Sequence, residues 1–481
     1  MKVLLLLPKA NIPVADYHLL PMGLAYIAAS LKSVGAEVKY IDLETDKQGK
    51  EKLSLVLREW KPHYIGFSII PRYVDNALKL AKEFKSKRCD AKLVAGGIHP
   101  SVAPELFLED DSFDYVIRGD GEIPFKSLIR KDSLNEISGL CFKDSYTSEI
   151  IDNGVNYEPF NLEELPFPDF ETIPLNKYPT PPLGIFLKLP SYPMFATRGC
   201  GGKCTFCTNY DFNKKHRVRA AENVIQEILM AVAKYKAKEI YFMDANFSFN
   251  MEYTYQLCEA LLDRKLPVTW HCGTRIDKVD EKLLDIMKAA GCCSVAFALE
   301  TADQTMAKKI QKPYNLERAV EIFKYCDKLG LFIKHNFMYG LPGETEKSLK
   351  KTLSLALSVP ADIAYFHMFN LQLMLKNEAR TPIEEEYKRL KQEKKGKDIA
   401  ALFPLVSEKK IKWHFFKSYL WFYLRPSFWW RTFSRRVNRI CFYYNFIQLL
   451  PLLFYAVPKI ILLSGKFMFS SIKNQSDVRE K

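Results

Sequence analysis

The sequence predicts an α/β protein: a doubly wound parallel sheet, then a second strand–helix series approaching a parallel barrel, then a helical C-terminal region. Three observations predict this. Through the first 145 or so of 481 residues, short apolar runs alternate with amphipathic stretches, the pattern of buried parallel strands joined by right-handed helical crossovers. The alternation restarts near Met194 with six strand-like runs and five helical runs between them. Beyond Ile411 the chain becomes aromatic and basic, then strongly apolar.

In the first series Lys2–Pro8 (KVLLLLP) reads as a buried strand, and Pro21–Gly35 as a helix with Pro near its start and Gly at its end. Val38–Leu43, Tyr64–Ile70, Lys92–Ala95 and Tyr115–Ile117 follow as strands, with helices at Leu53–Lys61 and near Val74–Lys87. This is a Rossmann-like arrangement, which binds ligands outside the carboxyl ends of its strands. Two loops at such ends, Gly96–Gly97–Ile98–His99–Pro100–Ser101 and Gly119–Asp120–Gly121–Glu122, carry glycines that admit close backbone approach. Either alone reads as a turn; two on one edge point to a ligand. No GxGxxG follows the first strand, so a dinucleotide is not predicted. Asp152–Pro190 holds eight prolines without periodicity and reads as an ordered connector. The predicted divisions are 1–145, 146–189, 190–380 and 381–481.

The second series places strands at Met194–Thr197, Glu239–Met243, Val268–Cys272, Ser294–Leu299, Ile333–Tyr339 and Ile363–Phe369. Helices are expected at Ala221–Tyr235, Tyr253–Arg264, Glu281–Ala290, Leu316–Leu329 and Lys347–Leu357. Barrels of this kind carry chemistry on loops at the carboxyl ends of the strands. Glu384–Lys397 reads as a charged, solvated helix.

Composition bounds the function. About half the residues are apolar and a quarter charged, which argues against disorder. The net charge is +14, but residues 411–481 hold 12 Lys/Arg against 2 Asp/Glu, so the basicity is local and a uniformly basic nucleic-acid protein is excluded. Eleven cysteines are too dilute for a disulfide scaffold, and no signal-peptide pattern opens the chain, so a reducing cytosol is expected, where clustered cysteines read as ligands.

Such a cluster is present. Thr197–Arg198–Gly199–Cys200–Gly201–Gly202–Lys203–Cys204–Thr205–Phe206–Cys207 sets Cys200, Cys204 and Cys207 in a CxxxCxxC spacing directly after the first strand of the second series. Three thiolates so close can surround one soft metal centre. A structural zinc needs four ligands, and the nearest candidate, His216, lies nine residues on. An iron–sulfur cubane held by three cysteines leaves one iron open. Zinc with a remote fourth ligand and three incidental cysteines are the alternatives. Of the other cysteines, Cys258, Cys272, Cys292, Cys293 and Cys326 read mainly as core residues, with Cys272 a candidate for the pocket wall.

CxxxCxxC after a first barrel strand, with Phe206 before the last Cys, resembles the radical S-adenosylmethionine (SAM) enzymes over residues 190–380. The resemblance implies a partial (β/α)6 barrel and a 4Fe-4S cluster whose open iron chelates SAM. Reductive cleavage then gives methionine and a 5′-deoxyadenosyl radical, with electrons from a reductant such as flavodoxin or ferredoxin. By the same resemblance Phe206 would lie against adenine, and Asp244, in Phe242–Met243–Asp244–Ala245–Asn246–Phe247, near the SAM amino group. Ala245 departs from the paired acidic pattern. Glu300, in Ala298–Leu299–Glu300–Thr301, would sit near the ribose or methionyl end, although Ala298 replaces the usual Gly. Gly340, in Tyr339–Gly340–Leu341–Pro342–Gly343–Glu344–Thr345, would allow close approach to adenine. Arg275 is a further pocket candidate, with an exposed salt bridge as its alternative; a helix cap for Glu344 and a core-facing Asp244 are the plain alternatives.

The first domain resembles the cobalamin-binding domain fused to many radical SAM proteins, through Pro21–Met22–Gly23–Leu24–Ala25–Tyr26–Ile27–Ala28, Gly96–Gly97–Ile98–His99–Pro100 and Arg118–Gly119–Asp120–Gly121–Glu122. That implies cobalamin contacts from Gly23, Gly96, Gly97 and Gly119. The Asp-x-His-x-x-Gly loop that supplies a lower axial histidine elsewhere is absent: Pro8–Lys9–Ala10–Asn11–Ile12 stands there. The reaction implied is C-methylation of an unactivated carbon, one SAM methylating the corrinoid and a second generating the radical. Ring closure or oxidoreduction without methyl transfer is the alternative, and a non-catalytic iron–sulfur or zinc-binding interaction protein another.

In the tail, Ile440–Leu463 is long enough to cross a bilayer, but two prolines, a lysine and two amides interrupt it. Trp421–Phe422–Tyr423 and Phe428–Trp429–Trp430–Arg431, with Arg435, Arg436 and Arg439, read as an interfacial belt. Peripheral attachment to the inner face of the cell membrane and a small-molecule or lipid-like substrate are the expectation; a helical cap on the barrel is the alternative. No nucleic-acid partner is expected, because the apolar run does not suit one.

Overall fold

The computed structural model describes residues 1–10, 20–155, 161–178, 187–207, 215–369, 371, 382–393, 395, 398 and 401–434. The aliphatic run KVLLLL makes β1 (Lys2–Leu7), whose residues beyond Lys2 are buried because both faces of its sheet are covered. β1 pairs in parallel with β2 (Glu37–Asp42) and β3 (Tyr64–Ser68), and β4 (Lys92–Gly96) and β5 (Tyr115–Ile117) continue the parallel sheet. Val3 and Leu5 join one core with the Met22–Lys32 and Glu122–Arg130 helices, while Leu4 and Leu6 join another with the Val74–Ser86 helix.

The sheet differs from expectation at its far edge. β6 (Leu140–Lys143) and β7 (Ile150–Asp152) extend it antiparallel, so it is mixed. Their runs are short, and only pairing, of β6 with β5 and of β7 with β6, makes them strands. Asp144 accepts from Tyr146 N and Thr147 N, both at 2.8 Å, and closes the turn between them. The helix expected at Leu53–Lys61 starts earlier, at Gly49, and its last turn, Val56–Trp60, is wider than α.

The connector binds the two halves together. Phe170 is buried with its ring edge on Tyr192 at 5.2 Å and Tyr235 at 5.9 Å, Asp169 pairs with Lys32 at 2.6 Å, and Tyr178 Oη donates to Asp42 Oδ2 at 2.8 Å. Pro179, Pro181 and Pro182 lie outside the described residues.

In the second half, β8 (Ser191–Met194), β11 (Glu239–Phe242), β12 (Thr269–Thr274), β13 (Cys292–Glu300), β14 (Phe332–Tyr339) and β15 (Ile363–Met368) form one parallel sheet in chain order. β8 lies three residues ahead of the strand expected at Met194–Thr197. Thr197–Arg198 (β9) instead forms a separate antiparallel ribbon with Arg217–Val218 (β10). Pro193 is accommodated because β8 is an edge strand. On β13, Val295, Phe297 and Leu299 are fully buried, with Phe297 against Phe323 of the Leu316–Lys328 helix at 5.6 Å. The alternating Ala296 and Ala298 are half-buried, and Gly273 lies in register with Ala296. Small side chains thus line the other face and leave room there. Cys272 belongs to the core and is 1 % exposed, so it does not wall a pocket.

The opposite edge, β15, is closed by the C-terminal helix Glu408–Leu424. Tyr419 Oη accepts from Phe366 N and donates to Phe366 O, both at 3.1 Å. Tyr423 Oη does the same for Ala364, at 3.3 and 2.9 Å. Two hydroxyls thus satisfy backbone groups that an edge strand would leave open. Replacing Tyr419 or Tyr423 by Phe should cost about 1–3 kcal/mol each, the cost of buried backbone groups left unpaired; denaturant unfolding of the two variants checks this. Phe422 is fully buried and Phe428 nearly so, so part of the aromatic belt is a cap on the sheet. Trp413, Trp421 and Trp430 stay 49 %, 49 % and 77 % exposed. The charged Pro382–Gln392 helix is also partly buried, at Ile383, Glu384 and Leu390. No helix among the described residues is long and apolar enough to cross a membrane; Ile440–Leu463 lies outside them.

Candidate cofactor-binding site

After β8 the chain crosses at Phe195–Ala196 into β9 and then the cysteine loop. Asp244, past the end of β11, anchors the crossing: it accepts from Thr197 N and Thr197 Oγ1, both at 2.5 Å, and from Ala196 N at 3.2 Å. Burial pushes its carboxyl up to about 6 against these donors. Expected beside a SAM amino group, Asp244 is thus engaged by the chain itself. Asn246 Oδ1 likewise accepts from Thr274 Oγ1 at 3.0 Å and Arg275 N at 3.2 Å, which ties the end of β12 to the same loop.

The cysteine loop turns on Gly199 and Gly201, at φ +82° and +62°. A Cβ on Gly201 would enter the Phe249 ring, so glycine is required there for packing as well as conformation. Cys200, Cys204 and Cys207 are half-buried, and none of them is in a disulfide. The point where a Gly202 Cβ would stand is 3.3 Å from Cys200 Sγ and 4.0 Å from Cys204 Sγ. Arg275 Nη1 lies 3.7 Å from Cys204 Sγ, and its other nitrogens donate to Asp277 at 2.8 and 3.0 Å, so it makes both a salt bridge and a contact to the loop. Burial pushes the Cys204 thiol up, opposed by Lys312 and Arg275. Among the described residues no three His, Cys, Asp or Glu side chains converge as ligands of a single ion would. Soft thiols on a glycine-rich loop beside cations suit the anionic thiolates of an iron–sulfur cluster.

Around this loop stand the ends of β13, β14 and β15. Glu300 closes β13 at φ +68°, buried, and takes Lys312 Nζ at 2.7 Å in a buried ion pair that spacing did not reveal. His367, at the end of β15, meets Asn336 Oδ1 at 3.1 Å. Phe206 packs in a small apolar cluster with Met306, Ile310, Leu341, Met338 and Phe369. Gly340 sits at φ +89°, and a Cβ there would be driven into the Phe369 carbonyl oxygen. The chain alone therefore demands that glycine, whether or not an adenine approaches.

Glu344 caps the same turn, accepting from Gly340 N at 2.5 Å and Leu341 N at 3.2 Å, while Thr345 is the N-cap of the following helix, Glu346–Ser358. Burial pushes the Glu344 carboxyl up to about 8. A carboxyl raised in the folded state contributes its stability below its unfolded pKa, near 4.5, and loses it as pH rises through 8. Glu344→Gln does not titrate, so its stability relative to wild type should improve from pH 5 to 8 and level off above; melting temperatures across pH check this.

The first domain supplies a cavity of about 310 Å³ at the carboxyl edge of its sheet. Gly23, Gly96, Gly97 and Gly119 line it on one side, and Phe195, Thr197, Arg198, Gly199, Met243 and Ala245 on the other. All four glycines expected to touch cobalamin are thus brought together, facing the segment that leads into Cys200. A Cβ on Gly23 would meet nothing within 4 Å, whereas Gly97, at φ +104°, would put one 2.8 Å from Ile69 O. Gly23 is therefore free to face a ligand, while Gly97 is already required by the fold. Among the described residues no histidine lines the cavity; His99 is buried against Phe107. The glycine cradle and its place at the sheet's carboxyl edge fit a corrinoid-type ligand.

Sequence reasoning missed what joins the two sites. Arg198 Nη2 donates to Glu122 Oε1 at 2.6 Å, and its Nη1 lies 3.2 Å from Asp120 Oδ1. Arg217, its partner across the β9–β10 ribbon, donates to Asp120 Oδ2 at 2.6 Å. Only the acidic pair within Gly119–Asp120–Gly121–Glu122 and the arginine next to the cysteine motif hinted at this.

The radical SAM superfamily model matches residues 194–356, and the B12 binding domain model matches residues 8–129. Over 383 residues the chain is 28 % identical to an uncharacterized methyltransferase of Pyrococcus horikoshii, covering 76 % of this chain and 80 % of that one. Over 365 residues it is 27 % identical to an anaerobic magnesium-protoporphyrin IX monomethyl ester cyclase of Cereibacter sphaeroides, covering 73 % of this chain and 58 % of that one. In fold it is similar to the radical SAM methyltransferase TsrM from Kitasatospora setae, solved with cobalamin and a [4Fe-4S] cluster bound. The TM-score is 0.64 at 19 % identity, over 81 % of this chain and 78 % of that one. The chain is a radical SAM protein with a B12-binding domain in front of its core.

Proposed function

We propose that this enzyme methylates an unactivated carbon of a small, lipid-like molecule, with Cys200, Cys204 and Cys207 holding a 4Fe-4S cluster, SAM on that cluster, and cobalamin in the cavity of the first domain. The observation that carries this reading is the position of that cavity: its glycine loops and the residues leading into Cys200 are its two walls. When bound, the three groups together supply a carbon radical and a transferable methyl group. The chain's own residues orient them. Asp244 holds the β8–β9 crossing, Arg275 faces Cys204, and the buried Glu300–Lys312 pair offers hydrogen-bonding oxygen and nitrogen to the polar end of SAM. Phe206 and its apolar neighbours offer a face for adenine. Gly340 serves the site indirectly, by setting the turn behind it.

Anaerobic protein reconstituted with iron, sulfide and hydroxocobalamin, given methyl-labelled SAM and a strong reductant such as reduced flavodoxin, tests the reading. Deoxyadenosine together with cobalamin-dependent S-adenosylhomocysteine is expected. Deoxyadenosine without S-adenosylhomocysteine would favour ring closure, the reading suggested by the cyclase relative. Neither product would overturn both.

A membrane-surface location is supported by the outward face of the Glu408–Leu424 helix. Lys410, Trp413, Lys417, Trp421 and Leu424 fall at helical spacing in a stripe beside the buried Ile411, His414, Ser418 and Phe422, with Trp413, Trp421 and Leu424 exposed, and Lys417 Nζ stands 3.8 Å over the Trp421 ring. No acidic residue occurs from Lys409 to Ser434. The full chain should sediment with anionic phosphatidylserine vesicles at low salt and be released at high salt; recovery in the supernatant at both would reject this.

A further inference from the structure

The bridge between the two halves has a consequence for the site. Arg198 stands two residues before Cys200, joined to it through Gly199, yet its guanidinium is held by the first domain: by Glu122 at 2.6 Å, by Asp120 at 3.2 Å, and by the Tyr26 ring at 4.9 Å. Its side chain is 12 % exposed and that of Glu122 is 3 % exposed, so these charges depend on each other. Arg217 grips Asp120 from the neighbouring strand. Gly119, Asp120, Gly121 and Glu122 on one side, and Thr197, Arg198 and Gly199 on the other, also wall the cavity. A ligand that displaces the 119–122 loop therefore displaces the backbone leading to Cys200, because the fork of a guanidinium on two carboxylates transmits position.

We propose that Arg198 is a positioning residue that couples the two cofactor sites, so that filling the cavity and loading the cysteine loop each change the affinity of the other. This rests on the cobalamin and cluster assignments above. Coupling between two binding sites is reciprocal, and a factor of about five or more is the usual range for a built connection. Lysine at this position keeps a charge but cannot span Asp120 and Glu122 together.

The test titrates hydroxocobalamin, by its absorption bands, into anaerobic full-length protein with and without the reconstituted cluster, for wild type and Arg198→Lys. Iron content and far-UV circular dichroism verify loading and folding. The expected result is a wild-type affinity that differs about fivefold or more between the two forms, with a ratio near one in Arg198→Lys at unchanged iron content. Equal wild-type affinities, or an unchanged ratio in Arg198→Lys, would overturn the coupling alone. Absence of binding to every form would overturn the cobalamin reading and the coupling with it. If Arg198→Lys does not fold, Glu122→Gln, which weakens the same grip from the other side, is read by the same ratio.

Discussion

Cys204→Ala should yield a folded protein that binds markedly less iron after reconstitution and releases no deoxyadenosine from SAM above background. The thiol is half-buried and faces Arg275 Nη1 at 3.7 Å, so its loss removes a ligand and leaves the cation facing an empty position. The loop itself should survive. Its turn rests on Gly199 and Gly201 and on backbone bonds such as Cys207 N to Cys204 O at 3.1 Å and Thr205 N to Ile310 O at 3.1 Å, none of which uses the sulfur. Cys258→Ala is the matched control. Cys258 is fully buried in the Met251–Arg264 helix, so its replacement should cost about 1 kcal/mol of packing and leave iron content and deoxyadenosine release intact. Full cluster content and SAM cleavage in Cys204→Ala would remove this residue from the site.

Gly340→Ala should destabilise the protein before any cofactor is added, by roughly 2–5 kcal/mol. Two costs combine. An alanine at φ +89° adopts a left-handed backbone that its Cβ disfavours, and that Cβ is aimed at the Phe369 carbonyl oxygen, a backbone atom that cannot swing aside. Phe369 N also donates to Tyr339 O at 2.7 Å, so relief would open the pairing of β14 with β15. Chemical denaturation of the cofactor-free variant measures the effect. If its stability is unchanged and only SAM binding falls, the glycine serves the adenine and not the chain. Gly23→Ala provides the contrast: its Cβ meets no protein atom within 4 Å, so the apo fold should tolerate it while cobalamin affinity drops.

Much of the site was legible because its signals are local. The CxxxCxxC spacing, the glycine loops at 96–97 and 119–121, and Gly340–Thr345 each lie within a dozen residues of chain, and all fall at carboxyl ends of strands. The roles of individual residues were less legible. The resemblance put Asp244 near the SAM amino group; in the fold its carboxylate also accepts from Thr197, 47 positions earlier. The hairpin of β6 and β7 was not read: Leu140–Lys143 lies at the end of the first division and Ile150–Asp152 at the head of the segment that read as connector. The aromatic tail read as a membrane belt, yet one of its faces seals β15 through Tyr419 and Tyr423, 53 and 59 positions from the residues they cap.

By itself the sequence determined where most strands and helices lie, their order, the parallel character of the second sheet and of the first five strands of the first, and the trio of thiols at the head of the second. Apolar periodicity, Gly and Pro positions and ligand spacing act over a few residues, and burial follows from them directly. Only the tertiary structure decided that Arg198 grips Asp120 and Glu122, that Lys312 neutralises Glu300, and that Gly340 yields to Phe369. Those pairings depend on which faces meet after the chain has closed loops of many residues, and the residue types alone admit many partners until that closure selects one.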